Sequence, residues 1–134
     1  MLQQEQAMKT HILVVDDDPD ILEVVREILS DEGYRVQTSL NGAFLQRLES
    51  DPPDLILLDV LLQGEDGREL CRQVKEHDQT RQIRVILFSA NVAANSTTAA
   101  CGADDFLVKP FRVAELLDLV AKKIKPKQQG QGLN

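Results

Sequence analysis

At 134 residues, 43% of them apolar, the chain fits one domain around a single modest core. A net charge of −7 argues against general nucleic-acid binding, and no apolar run approaches the ~20 residues of a membrane span. The start, MLQQEQAMKT, has neither the basic residues nor the apolar stretch of a secretory signal, so the chain reads as cytoplasmic and free of the membrane.

HILVVD (11–16) is a β-branched apolar run and predicts a strand buried on both faces, carried straight into three adjacent aspartates. DPDILEVVREILSDEG predicts an amphipathic helix. Asp18 serves as its N-cap, Pro19 takes the first position, Ile21, Leu22, Val25, Ile28 and Leu29 form one face, and Gly33 marks the end. YRVQTS (34–39) alternates like a half-buried strand near a sheet edge, and a short helix is expected through Ala43, Phe44, Leu45 and Leu48 before Pro52-Pro53. DLILLDV (54–60) is a second buried strand. After the loop LLQGEDG comes a helix through Leu70, Cys71 and Val74, then a third buried strand, IRVILFSA (83–90). Residues 91–102 favour helix by alanine and oppose it by Asn, Ser and Thr, so a short, loosely held helix is expected. DDFLVKP (104–110) predicts a strand stopped by proline, and Val113, Leu116, Leu117, Val120 and Ile124 mark a last amphipathic helix. Lys122, Lys123, Lys125 and Lys127 read as its solvated end, favoured by the helix dipole. Cys71 and Cys101 read as buried thiols of a reducing compartment.

Five alternations of strand and helix imply a parallel α/β sheet covered on both faces. In such sheets ligands bind outside the carboxyl ends of the strands. Asp16 and Asp17 end the first strand, Asp59 the third, Ser89 the fourth and Lys109 the fifth. If the first and third strands are neighbours, three carboxylates share one crevice. Two unit charges ~4 Å apart repel by about 4 kcal/mol at an effective dielectric near 20. Either protons or a divalent cation must relieve that repulsion, and an all-oxygen site suits Mg²⁺. Asp18 and Asp20 are assigned to helix capping, Asp66-Gly67 to turn and cap chemistry, and His11 and His77 to structure.

ILVVDDD, DLILLDV…EDG, ILFSA and GADDFLVKPF, in this order, resemble the receiver domain of two-component response regulators over roughly residues 9–125. The resemblance implies a doubly wound five-stranded parallel sheet of order 2-1-3-4-5, the flavodoxin-like (βα)₅ fold. Residues 1–8 would be a flexible extension and 126–134 a disordered polar tail. It implies that Asp59 is the phosphoacceptor, attacking a phosphohistidine of a sensor histidine kinase or phosphotransfer protein. Asp16 and Asp17 would bind Mg²⁺ with Asp59 and the Leu61 carbonyl, Asp17 directly and Asp16 through water. Ser89 takes the hydroxyl position, Lys109 the lysine position and Phe106 the aromatic switch position, and Lys109-Pro110 matches a cis peptide, which X-Pro bonds accept at ~0.5–1 kcal/mol.

Departures from the family pattern are Gln63, where proline is usual, Phe at the switch position in place of Tyr, and a slightly short segment over 91–102. On this reading the domain catalyses only its own phosphorylation and dephosphorylation. It is expected to stand alone without an output domain, as a monomer or weak dimer, and to meet a downstream protein on its 91–125 face. Leu61 and Asn91, two residues beyond Asp59 and Ser89, flank the path of hydrolytic water, and leucine predicts slow loss of the phosphoryl group. Two rivals are a haloacid-dehalogenase-like phosphatase, with Asp16 as nucleophile and Asp18 as general acid, and a receiver fold that serves only as a scaffold.

Overall fold

The structure, a computed structural model, describes residues 9–124; the expected extension at 1–8 and tail at 126–134 lie outside them. Five parallel strands form the sheet: β1 (His11–Val15), β2 (Arg35–Ser39), β3 (Leu55–Asp59), β4 (Arg84–Ser89) and β5 (Asp105–Val108). Their order is β2-β1-β3-β4-β5, the 2-1-3-4-5 arrangement. β1 and β3 are buried along their whole length, as is β4 beyond Arg84, while β2, at the edge, is exposed or half-buried throughout. This is why the central strands are unbroken apolar runs and β2 is not. Each large aliphatic side chain so withdrawn from water contributes roughly 1.5–3 kcal/mol.

The two faces of the sheet are covered differently. On one, α1 (Pro19–Asp31) and α3 (Val113–Ile124) pack Leu22, Val25, Leu29, Leu116 and Val120 against Ile12, Val14, Leu55, Leu57, Ile86 and Phe88. Asp18 caps α1 by accepting from Asp20 N at 2.9 Å, and Gly33, at φ 98°, closes it in the left-handed conformation that glycine reaches without steric penalty. On the other face, among the described residues, only α2 (Gly67–Glu76) is an α-helix.

The helix expected at 43–48 is instead a six-residue 3₁₀ segment, Gly42–Arg47, capped by Asn41 and followed closely by Pro52-Pro53. The helix expected over 91–102 is two 3₁₀ pieces, Val92–Thr97 and Ala99–Cys101. Its hydroxyls explain the tightening. Ser96 Oγ donates to Ala93 O at 2.9 Å and Thr97 Oγ1 to Ala94 O at 2.8 Å, so polar side chains compete for the backbone of a segment that buries little. A salt bridge fastens the far end of the sheet. Lys75 Nζ meets Asp104 Oδ2 at 2.9 Å and donates to Ile83 O at 2.6 Å, and Asp104 Oδ2 accepts from Val85 N at 2.8 Å.

Cys71 and Cys101 are both buried thiols, and Cys71 Sγ donates to Cys101 O at 3.4 Å. At the basic end of α3, Lys123 Nζ pairs with Asp105 Oδ2 at 3.3 Å. His11 is buried and its Nε2 lies 2.8 Å from Gln37 Oε1, while exposed His77 stands 3.0 Å from Glu49. No described helix is long and apolar enough to cross a membrane.

Candidate functional site

Strand register assembles the site. Val15 pairs with Leu58 and Asp59 with Phe88, so Asp16, Asp59 and Phe88 stand level across three neighbouring strands. Ser89 pairs with Val108, which puts Lys109 one step beyond Ser89. Asp16, Asp17 and Asp59 each bring a carboxylate oxygen within 4.8 Å of the other two. Asp16 and Asp59 are buried and Asp17 is half-buried at the crevice mouth.

Lys109 Nζ lies 2.8 Å from Asp16 Oδ2 and 3.4 Å from Asp59 Oδ2, bridging the two strand ends, with the Phe88 ring face 4.5 Å below the ammonium. Asp16 Oδ1 accepts from Asp18 N at 2.9 Å, and Asp59 Oδ1 accepts from Leu61 N at 3.2 Å. Among the described residues the Asp17 carboxylate has no hydrogen-bond or ion-pair partner, and one of its oxygens lies within 4.8 Å of carboxylate oxygens of Asp16 and Asp59.

The crevice holds three carboxylates and one ammonium, which pairs with Asp16 and Asp59. Burial, then the charge of Asp16, pushes the Asp59 carboxyl up to about 6 from 3.8, against the opposing pull of Lys109 and of the Leu61 N–H. A crevice with unmatched negative charge and only oxygen donors fits a hard divalent cation of the Mg²⁺ type. The donor chemistry therefore fits the ion expected from the sequence.

Ser89 is buried, and its Oγ accepts from Asn91 N at 3.0 Å. Leu61 follows the acceptor strand in a two-residue ribbon, Leu61–Leu62 against Glu65–Asp66, with its side chain 69% exposed. Phe106, in β5, is half-buried against the cluster on the α2 face, and Lys109-Pro110 is cis. Asp18 is engaged as the cap of α1 and is exposed.

Gly67 has a role the sequence reading did not assign. Asp66 caps α2, as expected, but Gly67 also sits directly on the acceptor strand: Gly67 N donates to Val60 O at 2.7 Å, and a Cβ at Gly67 would overlap the Asp59 carbonyl. The glycine of a cap and the glycine of a close approach look alike in one sequence, so only the packing separates them. Glu65 likewise has a role that no sequence pattern marks. Its carboxylate accepts from Gly42 N at 2.8 Å and ties the acceptor loop to the 3₁₀ segment beside it.

Residues 12–121 match the family described as the response regulator receiver domain. A response regulator MprA of Mycobacterium ulcerans is 40% identical over 111 residues, which are 82% of this chain and 48% of the relative. The MprA of Mycobacterium tuberculosis is 35% identical over 130 residues, 94% of this chain and 56% of the relative. The chain thus spans about half the length of the curated relatives it matches.

Among solved structures, a response regulator from Chloroflexus aurantiacus superposes with a TM-score of 0.82 at 32% identity, over 87% of this chain and 98% of that one. The receiver domain of the sensor histidine kinase PA1611 from Pseudomonas aeruginosa, solved with a magnesium ion coordinated in its active site cleft, gives 0.79 at 29% identity over 87% and 98%. This chain belongs to the response regulator receiver family and is a signalling domain of two-component systems.

Proposed function

We propose that this domain accepts a phosphoryl group onto Asp59 from the phosphohistidine of a sensor kinase or phosphotransfer protein, and that the modification reshapes a protein-binding face. The observation that carries the reading is the level placement of Asp16 and Asp59 on neighbouring strands, with Lys109 bridging them at 2.8 and 3.4 Å. A scaffold with no phosphoryl chemistry has no use for that concentration of buried charge.

Asp16, Asp17, Asp59 and the Leu61 carbonyl would hold Mg²⁺, which when bound offsets negative charge on the carboxylates and on the transferring group. The Asp59 carboxylate is the nucleophile. An oxygen–phosphorus bond forms as the bond from phosphorus to the histidine nitrogen breaks in line, and the imidazole leaves with the electron pair. Lys109 stands where its ammonium can follow charge from the carboxylate to the phosphoryl oxygens. Ser89 accepts from Asn91 N at rest; its own hydroxyl proton is available to a phosphoryl oxygen.

Drawing Ser89 toward that oxygen pulls the chain at Asn91, and half-buried Phe106 turns inward by packing alone. Output would then pass through the surface formed by residues 91–108 and α3, read by a downstream protein in the cytoplasm. The phosphoryl group must favour the active arrangement by several kcal/mol to dominate the population.

The test is incubation with acetyl phosphate and Mg²⁺ followed by intact mass. A gain of one phosphoryl mass is expected, removed by hydroxylamine, abolished by EDTA and absent in Asp59→Asn. Wild-type protein that stays unlabelled overturns the reading.

A further inference from the structure

The 3₁₀ segment Val92–Thr97 is lightly held. It buries Ala94 alone, and Val92 is 63% exposed. Among the described residues, apart from the local bonds of Thr98 N and Oγ1 to Asn95 at 3.1 and 3.4 Å, two hydrogen bonds tie residues 91–97 to other elements of the chain. One is Asn91 N to Ser89 Oγ at 3.0 Å, at the start of the segment. The other is Arg68 Nη1 to Thr97 Oγ1 at 3.4 Å, at its end.

Both anchors trace to the phosphoacceptor crevice. Ser89 ends the strand beside Asp59. Arg68 grips Asp66 with two parallel bonds, Nε to Oδ1 at 3.0 Å and Nη2 to Oδ2 at 2.9 Å. Asp66 is the ribbon partner of Leu61, whose N–H holds Asp59 Oδ1. The planar guanidinium fork fixes its own direction once it is doubly bonded, so the third donor is aimed and not free to swing. Thr97 Oγ1 spends its proton on Ala94 O and is left as an acceptor for that donor. A cleft of about 210 Å³ beneath this link, lined by Asp66, Arg68, Thr97 and Cys101 among others, leaves room for the segment to move against α2.

We propose that Arg68 is a positioning residue that couples the acceptor loop to the far end of the 92–97 segment, so that the state of Asp59 is read there at both ends: through Ser89 and Asn91 at the start, and through Asp66, Arg68 and Thr97 at the finish. This rests on the phosphoacceptor reading and adds a second route to it. The Ser89 route alone would shift one end of a loosely anchored turn. With the second anchor, the segment moves as a unit.

The experiment is amide hydrogen exchange over residues 92–98 of the full chain, with and without Mg²⁺ and beryllofluoride as an acyl-phosphate mimic, in wild type, Thr97→Val, Thr97→Ser, Arg68→Ala and the Arg68→Ala/Thr97→Val double variant. Thr97→Val keeps size and shape but removes the hydroxyl, and with it both the acceptor for Arg68 and the bond to Ala94 O, so Arg68→Ala is the single variant that breaks the link alone. At rest, exchange at Thr97 and Thr98 is expected to rise about three- to tenfold in Thr97→Val and in Arg68→Ala, with no further rise in the double variant and with recovery in Thr97→Ser. The change on adding beryllofluoride should be lost at these amides in the single variants, while acetyl-phosphate labelling of Asp59 stays near the wild-type rate.

Resting exchange that is unmoved by either variant, or effects that add in the double variant, overturns the Arg68 link. Wild type that takes no phosphoryl group from acetyl phosphate overturns the phosphoacceptor reading, whatever the resting exchange shows. A general structural role for Arg68 would lower stability without singling out Thr97 and Thr98, and thermal melts of the same variants expose that outcome.

Discussion

A Cβ on Gly67 would stand 1.9 Å from the carbonyl oxygen of Asp59. The first turn of α2 therefore lies against the backbone of the acceptor itself, and no flexible side-chain tip intervenes to give way. Gly67→Ala is expected to cost about 1–3 kcal/mol in urea unfolding, the usual range for overpacking. It should also slow Asp59 labelling by acetyl phosphate at least about tenfold, because the carboxylate is carried off its position. Gly64, in the same loop at φ 73° and with open space around it, provides the comparison. Gly64→Ala should show only the backbone cost of about 1–2 kcal/mol and label near the wild-type rate.

The buried acceptor makes stability depend on pH. The Asp59 carboxyl titrates near 6 in the fold and near 3.8 when unmodified by its surroundings. Between those values the native state binds the extra proton, so stability falls as pH rises from about 4 to about 6 and levels off above. The loss attributable to Asp59 is roughly 1–3 kcal/mol, measured in EDTA. Asp59→Asn should remove this slope and be the more stable protein at pH 7, with little difference at pH 4. Urea melts at the two pH values decide it, and parallel curves for the two proteins would refute it.

Divalent cation should act in the opposite sense. At pH 7, Mg²⁺ at 100 times its dissociation constant is expected to add about 2.7 kcal/mol to the stability of the EDTA-treated protein. The unpartnered Asp17 carboxylate is the group most exposed to an arriving ion, so Asp17→Asn should weaken the response strongly without costing resting stability. Thermal melts across a Mg²⁺ titration measure both, and a Tm indifferent to Mg²⁺ in the wild type would remove the metal from the account.

Lys75 offers a stability test far from the crevice. Its side chain is 17% exposed and holds Asp104, Ile83 O and Arg81 O together. Lys75→Met keeps the aliphatic stem but leaves Asp104 without its cation. The expected cost is about 2–4 kcal/mol, somewhat below that of breaking a fully buried pair. Labelling of Asp59 should be unaffected, since the pair fastens the opposite end of the strands.

Leu61 bears on how long the phosphoryl group lasts. Its side chain stands exposed two residues beyond the acceptor and has nothing with which to orient a water. Leu61→Asn is expected to speed loss of the phosphoryl group by about tenfold, less than a full general base supplies. The decay of the labelled protein after removal of acetyl phosphate gives the rate, and equal decay in the two proteins would show that Leu61 has no part in it.

The sheet was legible because buried parallel strands leave unbroken apolar runs, and each such run here ends on a polar residue that lies at the crevice: Asp16 after Val15, Asp59 after Leu58, Ser89 after Phe88. The helices on the α1 and α3 face were legible from their spacing, and α1 from its caps as well. The 3₁₀ segments were not, because apolar spacing at Ala43, Phe44, Leu45 and Leu48 cannot distinguish six tightly wound residues from a short α-helix. At 92–101 the decisive bonds run from Ser96 and Thr97 back to the chain. Lys109 was placed at the crevice from its position after β5, but its bridge to Asp16 depends on side-chain reach across the sheet, for which the sequence carries no signal. Arg68 was passed over altogether, since a surface arginine beside a cap has no pattern of its own.

The two cysteines of the chain turn this architecture into a clock. Cys71 belongs to α2 and Cys101 to the second 3₁₀ piece, Ala99–Cys101; both are buried, and Cys71 Sγ is bonded to Cys101 O. Burial, and then the neighbouring Cys101, pushes the Cys71 thiol up, so that sulfur is unreactive while the two elements stay together. A thiol reagent has to wait for them to part. Its rate of uptake counts those partings directly, and any signal that loosens or tightens this face is written into the rate without a label being introduced.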